Sequence, residues 1–226
     1  MLFLALSCLQ GRPQWAAALE LLALEPDGLQ LTPGNAPDEE PQERLCAAGV
    51  PFSTHHGFTT TALRRRVWGP GAALCVDSRS VHPPAARESA PDVWRQQVER
   101  GAYPDILFEV MYPGYPLGTG QELTWALDVG LRLAVDISHL HLQRSAGVLD
   151  GGVERRLLSS PLVEEVHVSA NDGRRDQHRP LTANTSGLAW ARERLQGGTP
   201  TVLECYMHRL TTTERQRQLA ILRGEA

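Results

Sequence analysis

Short apolar segments alternate along the chain with longer segments in which apolar residues recur at helical spacing. The apolar segments predict strands at Leu2–Leu6, Gly28–Leu31, Val50–Ser53, Ile106–Val110, Leu133–Ile137, Val163–Val168 and Thr201–Leu203. The segments between them predict helices at Gln14–Leu24, Glu39–Ala48, Thr59–Val67, Asp92–Arg100, Gln121–Gly130, Gly152–Leu158, Leu188–Gln196 and Thr213–Arg223. Because the strands are almost continuously apolar, as strands covered on both faces are, the pattern favours parallel strands joined by helices.

An eighth strand is expected between Gly71 and Pro83, at either Ala72–Val76 or Arg79–His82. Eight strand–helix units in 226 residues predict a compact α/β fold, a (β/α)8 TIM barrel with parallel strands that spans residues 1–226 as a single domain. An open doubly wound sheet is the alternative. That fold normally has a glycine-rich first turn, which Gln10-Gly11-Arg12 does not supply.

Histidine, aspartate and glutamate residues follow the apolar segments, where the carboxyl ends of barrel strands would bring them to one face. The candidates are His55, His56, His82, Glu109, Asp136, His139, His167, Asp176, His178 and Glu204. Crowded carboxylates repel one another and are costly to desolvate, so we expect divalent metal ions among them. Imidazole and carboxylate ligands without a thiolate suit zinc or manganese best, with iron as a further candidate. The candidates are too many for one ion, which favours two or three ions bridged by carboxylate.

Composition and charge narrow the classes of function. All 22 basic residues are arginine, which excludes a Schiff-base lysine and a lysine-containing phosphate loop. The formal net charge is −4 and the only dense basic run is Arg64-Arg65-Arg66, so a small molecule is favoured over nucleic acid as a partner.

The location of the protein is also suggested by the sequence. No window approaches the roughly 18 apolar residues of a membrane span, so no membrane partner is expected. The start, Met1–Cys8, is more typical of a buried first strand than of a signal peptide. Four scattered cysteines indicate a reducing compartment, and we predict a cytoplasmic protein whose oligomeric state the pattern does not indicate.

Short motifs follow the predicted strands in a fixed order. They are His55-His56-Gly57-Phe58, Val81-His82-Pro83-Pro84, Glu109 with Gly114, Leu117-Gly118 and Glu122-Leu123, Asp136-Ile137-Ser138-His139, His167-Val168-Ser169-Ala170-Asn171-Asp172, Asp176-Gln177-His178 and Leu203-Glu204. In this order they resemble the xylose-isomerase-like TIM-barrel superfamily. The ligand set is most similar to that of endonuclease IV, the metal-dependent apurinic-site endonuclease family, whose histidine–asparagine–aspartate segment is one residue shorter.

The resemblance implies a division of these side chains among three metals. One metal would be bound by His56 (or His55), His82 and Glu109. A second would be bound by Glu109, Asp136, His167 and Glu204, and a third by His139, Asp176 and His178. Among these residues we assign catalytic roles to Glu109, Glu204 and His139.

Residues beside the metal ligands are candidates for substrate binding. Arg174, Arg175 and Arg179 flank the predicted site, where a guanidinium would bind a phosphate or carboxylate, although they equally suit a charged surface. Tyr112 and Tyr115 lie close to Glu109 in the sequence and are expected either to wall a small-molecule pocket or to pack a loop.

Several functions fit this pattern. The resemblance favours a multinuclear phosphoester hydrolase related to endonuclease IV but with reduced DNA-binding loops. A mononuclear sugar isomerase or epimerase of the same superfamily is the alternative, with Glu109 and Glu204 as acid–base groups. A multinuclear non-haem iron enzyme that oxidises a peptide is a further alternative, and a barrel that binds without catalysing is the last.

Overall fold

Eight parallel strands close into a barrel in the computed structural model, which describes residues 1–32, 35, 41–56, 58–59, 62–63, 80–84 and 91–226. The strands are β1 (Leu2–Ala5), β2 (Gly28–Leu31), β3 (Phe52–His56), β4 (Ser80–Val81), β5 (Leu107–Val110), β6 (Leu133–Asp136), β7 (Val163–Val168) and β8 (Thr201–Leu203). Each strand pairs in parallel with its neighbours in the chain, and β8 pairs with β1 to close the ring. The predicted (β/α)8 barrel is therefore confirmed.

Eight α-helices are present in the described part of the chain. They are α1 (Gln14–Leu22), α2 (Pro41–Ala47), α3 (Pro91–Glu99), α4 (Gly120–Asp128), α5 (Ile137–Ser145), α6 (Gly151–Leu158), α7 (Leu188–Gln196) and α8 (Thr212–Arg223). No helix in these ranges is long and apolar enough to cross a membrane.

Two local features differ from the sequence predictions, and a third decides between two predicted positions of one strand. The prediction of a helix at Thr59–Val67 is wrong for the residues that the structure describes, because Phe58–Thr59 pairs antiparallel with Ala62–Leu63. The β-branched threonines of this segment favour an extended backbone. Helix α5 was not predicted, and it follows β6 directly because the Asp136 side chain caps it by accepting the Ser138 N–H at 2.6 Å. The fourth strand lies within the Arg79–His82 alternative; Ala72–Val76 is outside the described residues.

The apolar core joins the strands to the surrounding helices. Leu4, Leu29 and Val135 are completely buried strand residues in this core. Trp94 of α3 packs edge-on against Phe108 of β5, with their ring centroids 5.2 Å apart. Burial of this apolar surface supplies the main driving force for folding.

The interior of the barrel, in contrast, contains polar side chains. Gln30 of β2 donates a hydrogen bond from Nε2 to Oε1 of Glu165 of β7 at 3.1 Å. Strands β2 and β7 are not neighbours in the ring, so this contact crosses the barrel interior. A polar layer thus lies where bulky branched residues commonly fill such barrels.

Strand register brings the predicted ligands to one end of the barrel. Asp136, the last residue of β6, is the direct partner of His167 in β7, and His55 of β3 is the partner of Ser80 in β4. Glu109 lies near the end of β5, and His82 and Glu204 come directly after β4 and β8. The carboxyl ends of all these strands therefore form one face.

Replacing Gly28 by alanine is expected to lower the free energy of unfolding by about 1–3 kcal/mol. The new Cβ would lie 2.5 Å from Phe3 Cε1 and 2.6 Å from the Pro51 carbonyl oxygen, a backbone atom that cannot turn away. Gly151→Ala is the control, because its Cβ would meet only the flexible Arg155 guanidinium at 3.4 Å. Urea unfolding curves measure both changes, and equal midpoints for the two variants would contradict the expectation.

Candidate metal centre

The carboxylate of Glu109 lies at the centre of the site and is only 1% exposed. Its Oε2 atom is 3.1 Å from Nε2 of His55 and 2.8 Å from Nε2 of His82. Its Oε1 atom is 3.3 Å from Nδ1 of His139 and 3.5 Å from Nδ1 of His167. Each oxygen of this one carboxylate therefore faces a different pair of imidazoles.

Two groups of side chains within the described residues have the spacing of a metal site. His55, His82 and Glu109 form the first group, and Glu109, Asp136 and His139 form the second. Within each group the potential ligand atoms all lie within 4.8 Å of one another. Glu109 belongs to both groups, so it is placed to bridge two ions.

The remaining predicted ligands lie at the edge of the second group. Nδ1 of His167 is 3.3 Å from Oε1 of Glu204. Oδ2 of Asp176 is 3.1 Å from Nε2 of His178 and 3.6 Å from Nε2 of His139. Nε2 of His139 is also 3.4 Å from Oδ2 of Asp136, so His139 lies between the two aspartates. The structure brings together all the predicted ligands except His56, whose side chain is outside the described residues.

Many of the potential ligand atoms are buried and have no hydrogen-bond partner among the described residues. They are Glu109 Oε2, Asp136 Oδ2, His139 Nε2, His167 Nδ1, Asp176 Oδ1 and His178 Nδ1. A buried polar atom without a partner typically costs about 1–3 kcal/mol. Glu109 Oε2 approaches two imidazole nitrogens closely yet forms no aligned hydrogen bond, as expected of atoms that share a cation. The donor set therefore fits divalent metal ions.

The pKa values show how protonated histidines balance the negative charge of the carboxylates when no metal ion is bound. Burial opposes the ionisation of Glu109, but His82 and His55 hold its pKa well below the ordinary value. Burial also disfavours the charged form of His139, yet the carboxylates of Asp136 and Asp176, whose oxygens lie 3.4 and 3.6 Å from its Nε2, raise its pKa to about 10. In this state imidazolium protons supply the positive charge that the carboxylates require.

Two further groups titrate near or above neutral pH. Burial raises the pKa of Glu204 to about 7. Burial disfavours protonation of His178, but Asp176 and Glu204 outweigh it and raise the pKa to about 9. Burial lowers the pKa of His55 to about 4, so this imidazole is neutral and ready to donate a lone pair at pH 7.

The two groups of potential ligands open into a cavity of about 210 Å3. Beyond the predicted ligands, the described residues that line it are Ser7, Gln10, Thr32, Met111, Tyr112, Tyr115 and Tyr206. The aromatic ring of Tyr112 packs edge-on against His139 at 4.9 Å, and that of Tyr206 lies over His178 at 5.1 Å. The walls are thus neutral, hydroxyl-bearing and partly aromatic, and Tyr112 and Tyr115 are among them as predicted.

The three predicted substrate-binding arginines are placed differently. Arg174, Arg175 and Arg179 are exposed, and none of them lines the cavity as the structure describes it. Arg179 instead forms an ion pair with Asp172 at 3.1 Å. His178 has a positive φ of 44°, so the backbone turns at this residue; His178 lines the cavity, whereas Arg179 is exposed outside it. The geometry gives no support to a role for these arginines in the cavity.

Some residues of the site escaped the sequence analysis. Glu165 accepts a hydrogen bond from His167 at 2.6 Å, and Ser80 Oγ is 2.9 Å from Nδ1 of His55. A signal for Glu165 was present, because it stands two positions before His167 on the same strand and therefore on the same face. Tyr206 stands two positions after Glu204, although both residues follow the end of β8, and Gln10 and Thr32 carry no comparable signal.

A scan against models of known protein families and a search of curated proteins find no match to this chain. The resemblance to endonuclease IV therefore stays a prediction from the motifs.

Binding of Zn²⁺ at pH 7 is expected to release protons, and the affinity is expected to rise from pH 6 to pH 8. His139 and His178, with pKa values of about 10 and 9, carry protons below those values, and a metal can bind an imidazole only after displacing its proton. Each displaced proton strengthens binding about tenfold per pH unit. Calorimetric titration in two buffers of different ionisation enthalpy measures the release; an affinity that does not change with pH would contradict the expectation.

Proposed function

We propose that this protein is a divalent-metal-dependent hydrolase that acts on a small phosphoester with two or more ions bridged by Glu109. The observation that supports the proposal best is the position of the Glu109 carboxylate, whose oxygens face separate pairs of histidines. A mononuclear site has no need of such a shared carboxylate. Zinc or manganese is the favoured metal, because imidazoles and carboxylates are combined without a thiolate.

The chain offers one set of ligands to each ion. His55, His82 and Glu109 would hold the first, and Glu109, Asp136 and His139 the second. His167, Asp176, His178 and Glu204 would complete the coordination or hold a third. When bound, such ions make water nucleophilic at neutral pH and neutralise the charge of phosphoryl oxygens.

The other residues of the cavity would bind and orient the substrate. Burial raises the pKa of Tyr112 to about 12, so its hydroxyl keeps its proton and can donate a hydrogen bond to a substrate oxygen. Tyr115 and Tyr206 offer further hydroxyls from the wall. Our candidates for catalytic residues remain Glu109, Glu204 and His139. Glu204 has a pKa of about 7, close to neutral pH, as suits a general acid or base.

The lining of the cavity also bears on the substrate. No arginine is among the described residues that line it, so the negative charge of a phosphoester would be balanced by bound cations. A volume of about 210 Å3 suits a small molecule, or one group of a larger molecule, better than a gripped duplex. Together with the net charge of −4, this favours a small phosphoester over DNA.

An isomerase or epimerase that acts on a sugar is the second candidate. It is favoured by the neutral walls, because the hydroxyl and amide groups of Ser7, Gln10 and Thr32 suit a polyhydroxylated substrate. The two candidates differ in the number of ions they need. One ion per chain with ketose interconversion would support the isomerase.

Glu109→Gln is expected to reduce bound metal from two or more ions per chain to fewer than one, since both groups lose their shared ligand. Hydrolysis of bis(p-nitrophenyl) phosphate should fall by more than about 100-fold, beyond the loss usual for outer-shell residues. Elemental analysis and a chromogenic assay measure the two effects.

Glu99→Gln is the matched control for this experiment. The exposed Glu99 side chain accepts a hydrogen bond from Trp125 Nε1 at 3.1 Å, and Glu99 is neither a predicted ligand nor one of the described residues that line the cavity. It should leave metal content and hydrolysis unchanged. Retention of two ions by Glu109→Gln would refute the bridging role, and wild-type protein without hydrolysis of any phosphoester would refute the proposed reaction.

A further inference from the structure

Glu165 is a buried carboxylate that lies beside the metal centre but is outside both ligand groups. It belongs to β7 and is 6% exposed. Its Oε1 atom is 2.6 Å from Nε2 of His167 and accepts a hydrogen bond from Nε2 of Gln30 at 3.1 Å. A buried carboxylate is costly unless it is paired and hydrogen-bonded, so its place beside a candidate ligand calls for an explanation.

The contact with Glu165 determines which nitrogen of His167 carries a proton. An ionised carboxylate can only accept hydrogen bonds, so Nε2 of His167 must be the donor. The other nitrogen, Nδ1, is buried, forms no hydrogen bond to any residue that the structure describes, and lies 3.3 Å from Glu204 and 3.5 Å from Glu109. In neutral His167 the lone pair therefore points from Nδ1 toward the second ligand group.

A second histidine is oriented through Ser80. Oγ of Ser80 is 2.9 Å from Nδ1 of His55. The same Oγ lies 3.5 Å from Nε2 of His167, the nitrogen that donates to Glu165. Ser80 therefore links the ring of His55 to the nitrogen of His167 that Glu165 holds, and a proton on Nδ1 of His55 would be donated to this hydroxyl. In that tautomer the lone pair of His55 is on Nε2, which faces Glu109 at 3.1 Å.

We propose that Glu165 is a positioning residue that fixes the tautomers of two candidate metal ligands, His167 directly and His55 through Ser80. One carboxylate thereby aims a lone pair into each of the two ligand groups. Partners of this kind hold the ring orientation of metal-binding histidines and raise their basicity. This assignment rests on the proposed metal centre.

Glu165→Gln is expected to weaken Zn²⁺ binding about 10- to 100-fold, as loss of such a partner usually does. The matched control is Glu164→Gln, the same change one position earlier, where the side chain pairs with Arg132 at 2.6 Å at the outer surface. The control should keep the wild-type affinity, because surface ion pairs have little effect on a remote site. Calorimetry with chelator competition measures the affinity, and thermal melting of the metal-free variants reports whether they fold.

A tautomer measurement separates positioning from a purely structural role. Long-range proton–nitrogen correlation spectra of the Zn²⁺-loaded protein should show His167 with its proton on Nε2 and the metal on Nδ1. His55 should show the opposite arrangement. If Glu165→Gln does not fold, Ser80→Ala replaces it in the test. This variant should remove the contact that orients the His55 ring and weaken Zn²⁺ binding, while His167 keeps its proton on Nε2.

Each outcome has a distinct meaning. Equal Zn²⁺ affinities of Glu165→Gln and Glu164→Gln, or a metal on Nε2 of His167, would overturn the positioning role and leave the metal centre standing. Wild-type protein that binds no Zn²⁺ would overturn the proposed centre itself, and the positioning role with it.

Discussion

Burial of several carboxylates at one end of the barrel is the constraint on which the site depends. Glu109 and Asp136 are almost inaccessible to water, and Glu204 is nearly so. Such groups need positive charge close by, since isolated buried carboxylates are far less stable than hydrated ones. The cavity contains no arginine among its described lining residues, so only imidazolium protons or bound cations can supply this charge. The number and placement of the histidines follow from that need.

The barrel meets this constraint by dividing apolar and polar packing between two layers. Residues such as Leu4, Phe108 and Val135 are buried in the apolar core that joins strands and helices, which stabilises the fold. The interior holds a polar layer in which Gln30 reaches Glu165 across the ring. Nε2 of Gln30 and Nε2 of His167 both donate to this carboxylate, and a shared acceptor favours one arrangement of the three side chains. The fold can therefore hold ligands rigidly without depending on apolar packing directly beneath them.

The sequence revealed the fold and the ligands because both follow from periodicity along the chain. Continuous apolar runs marked the strands, and the polar residues that end them marked the site. Strand β4 was ambiguous because it is only two residues long and places Ser80 inside the barrel. Helix α5 was missed because its first turn contains His139, whose side chain belongs to the site rather than to an apolar face. The arginines near His178 show the limit of sequence proximity, since the backbone turns at His178, whose φ is positive, and leaves Arg179 outside the cavity.

Glu109 links the charge balance to the number of ions. One ion bound by His55 and His82 would neutralise the charge on Oε2 of Glu109. The Asp136 carboxylate would still need a nearby positive charge, which the proton on His139 supplies in the absence of a second ion. A second ion in the other group would replace that proton with a larger charge held by the same ligands. Proton and metal therefore compete mainly for the second position, because His55 is already neutral at pH 7. The two candidate ion positions therefore differ, although they share the Glu109 carboxylate. The group of His55 and His82 is ready to bind a cation at pH 7, whereas His139 in the other group must first lose a proton.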